Sequence, residues 1–111
     1  MQITTTMRDA ITIAALAGRM DAMTTAEFDR WLAEQLAADK IRLILNLQGL
    51  DYISSAGLRS LLSAAKQMKV RNGALLLCGL GGTVEEVFRM SGFLTIFQSF
   101  GSVEEALGAL A

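Results

Sequence analysis

The sequence predicts an α/β fold, a single mixed β-sheet with helices packed against it, in the order β-β-α-β-α-β-α-β-α and forming one domain over residues 1–111. Three observations carry this reading. Two apolar runs, Ile41-Arg-Leu-Ile-Leu-Asn-Leu47 and Ala74-Leu-Leu-Leu-Cys-Gly-Leu80, are apolar at consecutive positions, as suits strands covered on both faces. Between them Leu58, Leu61, Leu62, Ala65 and Met68 recur at helical spacing. Strand, helix and strand in that order make a βαβ unit with parallel strands.

The other elements fall around this unit. Ile3-Thr-Thr-Thr6 and Ile11-Thr-Ile-Ala-Ala-Leu-Ala17 are rich in β-branched residues, with Met7-Arg8-Asp9 between them, and predict a hairpin. Gly18-Arg-Met-Asp21 leads into a first helix over about residues 25–38. Thr24 followed by Glu27 has the pattern of a capping box, and Phe28, Trp31, Leu32 and Leu36 share one face. The second helix ends in Lys66, Lys69 and Arg71, where cations favour the dipole, and Asn72-Gly73 stops it. Thr83 with Glu86 predicts a second capping box and a helix carrying Val84, Val87 and Phe88 up to Gly92. Thr95-Ile-Phe97 predicts a short strand. Ser102 with Glu105 opens a last helix to about Leu110.

Composition excludes several classes of function. With 52% hydrophobic residues there is material for a core, and a net charge of −1 leaves no electrostatic footprint for nucleic acid or an anionic membrane. No apolar run approaches the ~18 residues of a membrane span. Ala10-Ile-Thr-Ile-Ala-Ala-Leu-Ala17 lacks the basic flank of a signal peptide and reads as a strand. The one cysteine, Cys78, lies in an apolar strand, reads as a buried hydrophobe and implies a reducing compartment, hence the cytoplasm.

The chain contains no histidine, so a Ser-His-Asp or Cys-His arrangement cannot form, and the usual zinc ligands are missing. Gly79-Leu-Gly-Gly-Thr83 joins a strand to a helix but carries Val84 where a dinucleotide fingerprint needs a small residue, and no Gly-Lys-Ser/Thr follows. It reads as a tight turn. Glu85-Glu86 and Glu104-Glu105 fit the first turns of helices, and the methionines read as core fillers. We expect no metal, no cofactor and no catalysis.

Gln48-Gly-Leu-Asp-Tyr-Ile-Ser-Ser-Ala-Gly-Leu58 is different. It follows a buried strand and opens a helix, a favoured place for function in α/β sheets. Either Ser54 or Ser55 suits the N-cap. The small residues Ala56 and Gly57 leave a surface that another protein can approach. A phosphate there adds roughly −1.5 to −2 charges.

Asp51-Tyr-Ile-Ser-Ser-Ala-Gly-Leu-Arg59, after a strand ending Leu45-Asn-Leu47, resembles the signature of the STAS family of bacterial anti-sigma-factor antagonists. The likeness covers nearly the whole chain. Gly18-Arg-Met-Asp21, Asn72-Gly-Ala-Leu-Leu-Leu77, Val84-Glu-Glu-Val-Phe-Arg-Met-Ser-Gly-Phe93 and Ser102-Val-Glu-Glu-Ala106 are similar to the family's other conserved blocks. The resemblance implies the STAS fold and a partner-switching role. A serine-kinase anti-sigma factor binds the unmodified protein and phosphorylates a serine at the start of the signature helix, and a PP2C-type phosphatase resets it. Carried over, Ser55 is the acceptor, with Ser54 as the alternative. Asp21, Asp51, Tyr52, Ile53, Ser54, Ser55, Ala56, Gly57 and Arg59 form the partner-binding segment. The competing readings are a non-switching STAS subunit of a scaffold or lipid-transport assembly and an unrecognised enzyme. The first lacks the extra domains of large scaffolds, and the second lacks catalytic side chains.

Overall fold

The computed structural model describes residues 1–110. The elements are β1 (Gln2–Arg8), β2 (Ile11–Met20), α1 (Thr25–Ala37), β3 (Arg42–Ile53), α2 (Ser55–Val70), β4 (Ala74–Cys78), α3 (Gly82–Met90), a 3-10 turn (Phe93–Thr95), β5 (Gln98–Phe100) and α4 (Val103–Leu110). The expected order is present. The strands lie side by side as β1-β2-β3-β4-β5. The β1–β2 pair is antiparallel, and β2, β3, β4 and β5 run parallel.

The unbroken apolar runs have a direct structural reason. Successive β3 side chains point to opposite faces of the sheet. Leu43, Leu45 and Leu47 face a core completed by Phe28 and Leu32 of α1, Leu61 and Met68 of α2, and Val84 and Phe88 of α3. Ile44 faces the other way, with Ile13, Leu76, Cys78 and Ala106 of α4. Three helices therefore cover one face and α4 covers the other. Trp31, the only tryptophan, is buried with its indole N–H donating to Thr5 Oγ1 at 2.9 Å, which ties α1 to the sheet edge.

Several local expectations need correction. The hairpin strands are longer than composition suggested, because a left-handed Asp9 (φ 56°) makes the turn with Ala10 alone, leaving Met7 and Arg8 in β1. Gly18-Arg-Met belongs to β2 rather than to a loop. Thr24 does not cap α1 with its side chain; its hydroxyl donates to the Arg19 carbonyl at 2.9 Å instead. At α3 the cap position is Gly81, one to two residues before the expected start, and Thr83 makes no cap bond. The third box forms in half: Glu105 N–H donates to Ser102 Oγ at 3.2 Å, but the Glu105 carboxylate accepts from the N–H of Gly101, one residue before the cap, also at 3.2 Å.

The short strand expected at Thr95-Ile-Phe97 lies instead at Gln98–Phe100. Gly92, at φ 80°, turns the chain into a 3-10 turn. There Phe93 and Phe97 pack edge-to-face on Phe88 of α3 with ring centroids 6.1 and 6.3 Å away. Aromatic packing overrides the β-branched signal of Thr95 and Ile96. The methionines also divide: Met20 and Met68 fill the core, whereas Met7, Met23 and Met90 are exposed.

Candidate functional site

β3 runs well beyond β4. Its pairing with β4 ends at Asn46–Cys78, while its pairing with β2 continues through Ala17–Gly49 and Arg19–Tyr52 to Met20–Ile53, with register shifts on the way. Asp51, Tyr52 and Ile53 are therefore strand residues, well past Leu47, where the apolar run ends in the sequence. The two strand ends project together beyond the sheet, and α2 starts from them.

The junction is fixed by backbone. Ser54 N–H donates to the Met20 carbonyl at 2.9 Å, and Leu58 N–H donates to the Ser54 carbonyl at 2.9 Å. Ser54 is extended (φ −96°, ψ 176°), and its Oγ accepts from Gly57 N–H at 3.3 Å. It is the N-cap of α2, satisfying one of the orphan donors of the first turn. Ser55 is the first helical residue. It is exposed, and its side chain makes no hydrogen bond among the described residues.

Gly57 explains why this helix can begin so close to β2. A Cβ there would lie 2.7 Å from Ile53 Cγ1 and 2.8 Å from the Met20 carbonyl oxygen. Ile53 and Gly57 are both buried, so they shape the surface from beneath rather than presenting side chains to it. Asp51, Tyr52, Ser55 and Arg59 are exposed, and Ala56 is half-buried. No acidic residue occupies the first turn of α2, so its N-terminal backbone charge is unopposed locally.

Asp21 stands on the adjoining turn. Its carboxylate accepts from Met23 N–H at 3.0 Å and lies 3.5 Å from Arg19 Nε. Its carbonyl accepts from Thr24 and Thr25 N–H, each at 3.0 Å, which closes the turn into α1. Two residues of the Gly18–Thr24 stretch, expected from sequence to contribute to the partner surface only as part of a loop, stand out individually. Arg19 holds its guanidinium 4.2 Å from the centre of the Tyr52 ring, and Met23 is 88% exposed beside Asp21. The signal for Met23 was its position in a turn outside every periodic stretch. Arg59 lies along a shallow polar groove between α1 and α2 with Thr25, Asp29, Ser60 and Ser63.

The arrangement can do one thing chemically. It presents an exposed serine hydroxyl at a helix start, with exposed Tyr52 on the strand that leads into it and exposed Arg59 one turn further along α2. Among the described residues no cluster of metal-ligating side chains occurs, and no helix is long and apolar enough to cross a membrane.

Comparison with known proteins agrees with this architecture. The STAS domain family model matches residues 2–106. BtrV of Bordetella bronchiseptica, a protein named as an anti-sigma factor antagonist, is 42% identical over 109 residues, covering 98% of this chain and 94% of that protein. Among solved structures, an anti-sigma factor antagonist of Thermotoga maritima superposes with a TM-score of 0.91 at 18% identity, covering 96% of this chain and 92% of that one. The Bacillus cell fate determinant SpoIIAA in its phosphorylated form does so with a TM-score of 0.76 at 18% identity, covering 99% and 100%. The structures bear on the fold, and the family model and BtrV bear on kinship: this chain belongs to the STAS-domain family of anti-sigma factor antagonists.

Proposed function

We propose that the chain is a phospho-switched antagonist whose switch is Ser55. In this reading the unmodified protein binds a serine-kinase anti-sigma factor through the start of α2 and the turn between β2 and α1. The kinase ends the contact by phosphorylating Ser55, and a PP2C-type phosphatase restores it. The observation that carries the reading is the contrast between adjacent serines. Ser54 is half-buried with its hydroxyl engaged as the cap of α2, whereas Ser55 is exposed with its hydroxyl free among the described residues.

Charge and size supply the mechanism. A neutral hydroxyl beside Ala56 and Gly57 permits close protein contact. A phosphate brings roughly −1.5 to −2 charges that need water or cations. Burying it unpaired under a partner is strongly unfavourable. The same group at the first position of α2 is compatible with the free fold, because helix starts favour negative charge. Modification therefore acts on the complex rather than on the domain.

The test is phosphorylation of the purified chain by candidate serine kinases with ATP, read by intact mass. One added phosphate, lost in Ser55→Ala and retained in Ser54→Ala, supports the reading. A phosphate retained in Ser55→Ala and lost in Ser54→Ala moves the acceptor.

A further inference from the structure

The sheet ends differently on its two sides. One edge is β5, only 3 residues long. The other is β1, 7 residues long and in unbroken register with β2. Edge strands are ordinarily guarded against foreign pairing by proline, lysine, a bulge or brevity. None of these guards β1. The chain has no proline, and the strand reads Gln-Ile-Thr-Thr-Thr-Met-Arg. Its single charge, Arg8, is at its last position and is already paired with Glu104 at 2.6 Å.

The hairpin determines which backbone groups are free. Asp9 and Ala10 alone connect β1 to β2, so the flanking Arg8 and Ile11 form a hydrogen-bonded pair. Alternation along an antiparallel ladder then directs the N–H and C=O of Thr6, Thr4 and Gln2 toward β2. Those of Ile3, Thr5 and Met7 point outward. The side chains of these outward residues share the face of α1, where Ile3 packs on the main core, Thr5 bonds Trp31, and Met7 stays 48% exposed.

We propose that β1 pairs with the same strand of a second copy of this chain, antiparallel, about a two-fold axis through Thr5. Among symmetric registers, only this one overlaps the full length of β1. It sets Thr5 against its own mate and Ile3 against Met7 of the second copy, so every outward N–H and C=O of these residues meets a partner. It also places Ile3 beside the exposed Met7, extending the apolar face across the axis. On the opposite face Thr4 meets Thr6 and Gln2 meets Arg8. Thr–Thr pairs favour strand pairing, and no like charges stand directly opposite. The strand is complementary to itself, which is the condition for a closed dimer.

Sedimentation equilibrium of the whole chain over a rising concentration series tests this. The mass should climb from 11.9 kDa toward twice that value, while amide exchange at Ile3, Thr5 and Met7 slows. Met7→Pro removes an outward N–H that β2 does not use, so the hairpin can persist while pairing is blocked. Met7→Lys places a charge on the same edge. Both variants should keep the parent's circular dichroism and remain at single-chain mass. A parent that stays at single-chain mass at millimolar concentration would overturn the proposal. So would a dimer that survives in both variants, or one whose newly protected amides lie outside β1.

Discussion

The Ser54 amide donates to the Met20 carbonyl at 2.9 Å, joining the start of α2 to the end of β2 across the candidate switch. This bond, with Gly57 packed beneath it, holds Ser55 at the surface. The chain is not free to place the serine elsewhere, because Ile53, two residues before it, is paired with Met20 of β2.

Gly57→Ala should therefore be costly. The added methyl would meet Ile53 Cγ1 at 2.7 Å and a backbone oxygen at 2.8 Å, and the backbone cannot swing aside as a flexible side chain could. A loss of about 1–3 kcal/mol in denaturant unfolding is expected. Gly108→Ala in α4 meets nothing within 4 Å and should instead gain about 0.5–1 kcal/mol from helix propensity.

Ser54→Ala should separate capping from switching. Losing the bond from Gly57 N–H should cost about 1 kcal/mol of stability. Phosphorylation at Ser55 should survive, as peptide mapping of the modified variant can establish.

Charge reversal at Arg59 should weaken kinase binding by about tenfold or more, because it sits with Ala56 in the groove between α1 and α2. Reversal at Lys40, at the entry to β3, should change affinity little. Calorimetric titration of both variants measures this, and equal losses at the two positions would count against the mapped surface.

Cys78 should resist alkylation in the folded protein. Burial pushes its thiol up, since desolvation penalises the thiolate. The sign for stability follows from linkage: the unfolded thiol ionises first, so this contribution is intact below about pH 8.5 and declines as pH rises toward the folded-state value. Timed reaction with iodoacetamide at pH 8 should be slow in buffer and fast in denaturant.

The legible and illegible parts of the chain divide on physical grounds. β3, α2 and the helix faces of α1 and α3 were readable because burial writes itself as periodicity: Leu43, Leu45 and Leu47 alternate with Ile44, and Leu58, Leu61 and Met68 recur by turns. The end of β3 was not readable. Asp51 and Tyr52 are exposed and polar, and they are strand only because β2 continues beside them. The cap bonds at Thr24 and Thr83 failed because the Thr24 hydroxyl donates to the Arg19 carbonyl instead and because Gly81 occupies the cap position of α3. The serine pair was legible as the start of a helix, yet which of the two serves as the cap was not. That depends on a hydrogen bond to Gly57 N–H, which no spacing encodes. Arg19 over Tyr52 was likewise hidden, since cross-strand register brings them together.

The central claim is that charge at Ser55 decides whether the partner stays bound, and calorimetry of the parent, Ser55→Ala and Ser55→Asp against the cognate kinase tests it most directly. Circular dichroism should show all three folded. Ser55→Ala should bind like the parent and take up no phosphate. Ser55→Asp should bind far more weakly; a loss of ~3 kcal/mol at the interface would be more than a hundredfold in affinity. A Ser55→Asp variant that binds as tightly as the parent, or a Ser55→Ala variant that is still stoichiometrically phosphorylated, would contradict the account.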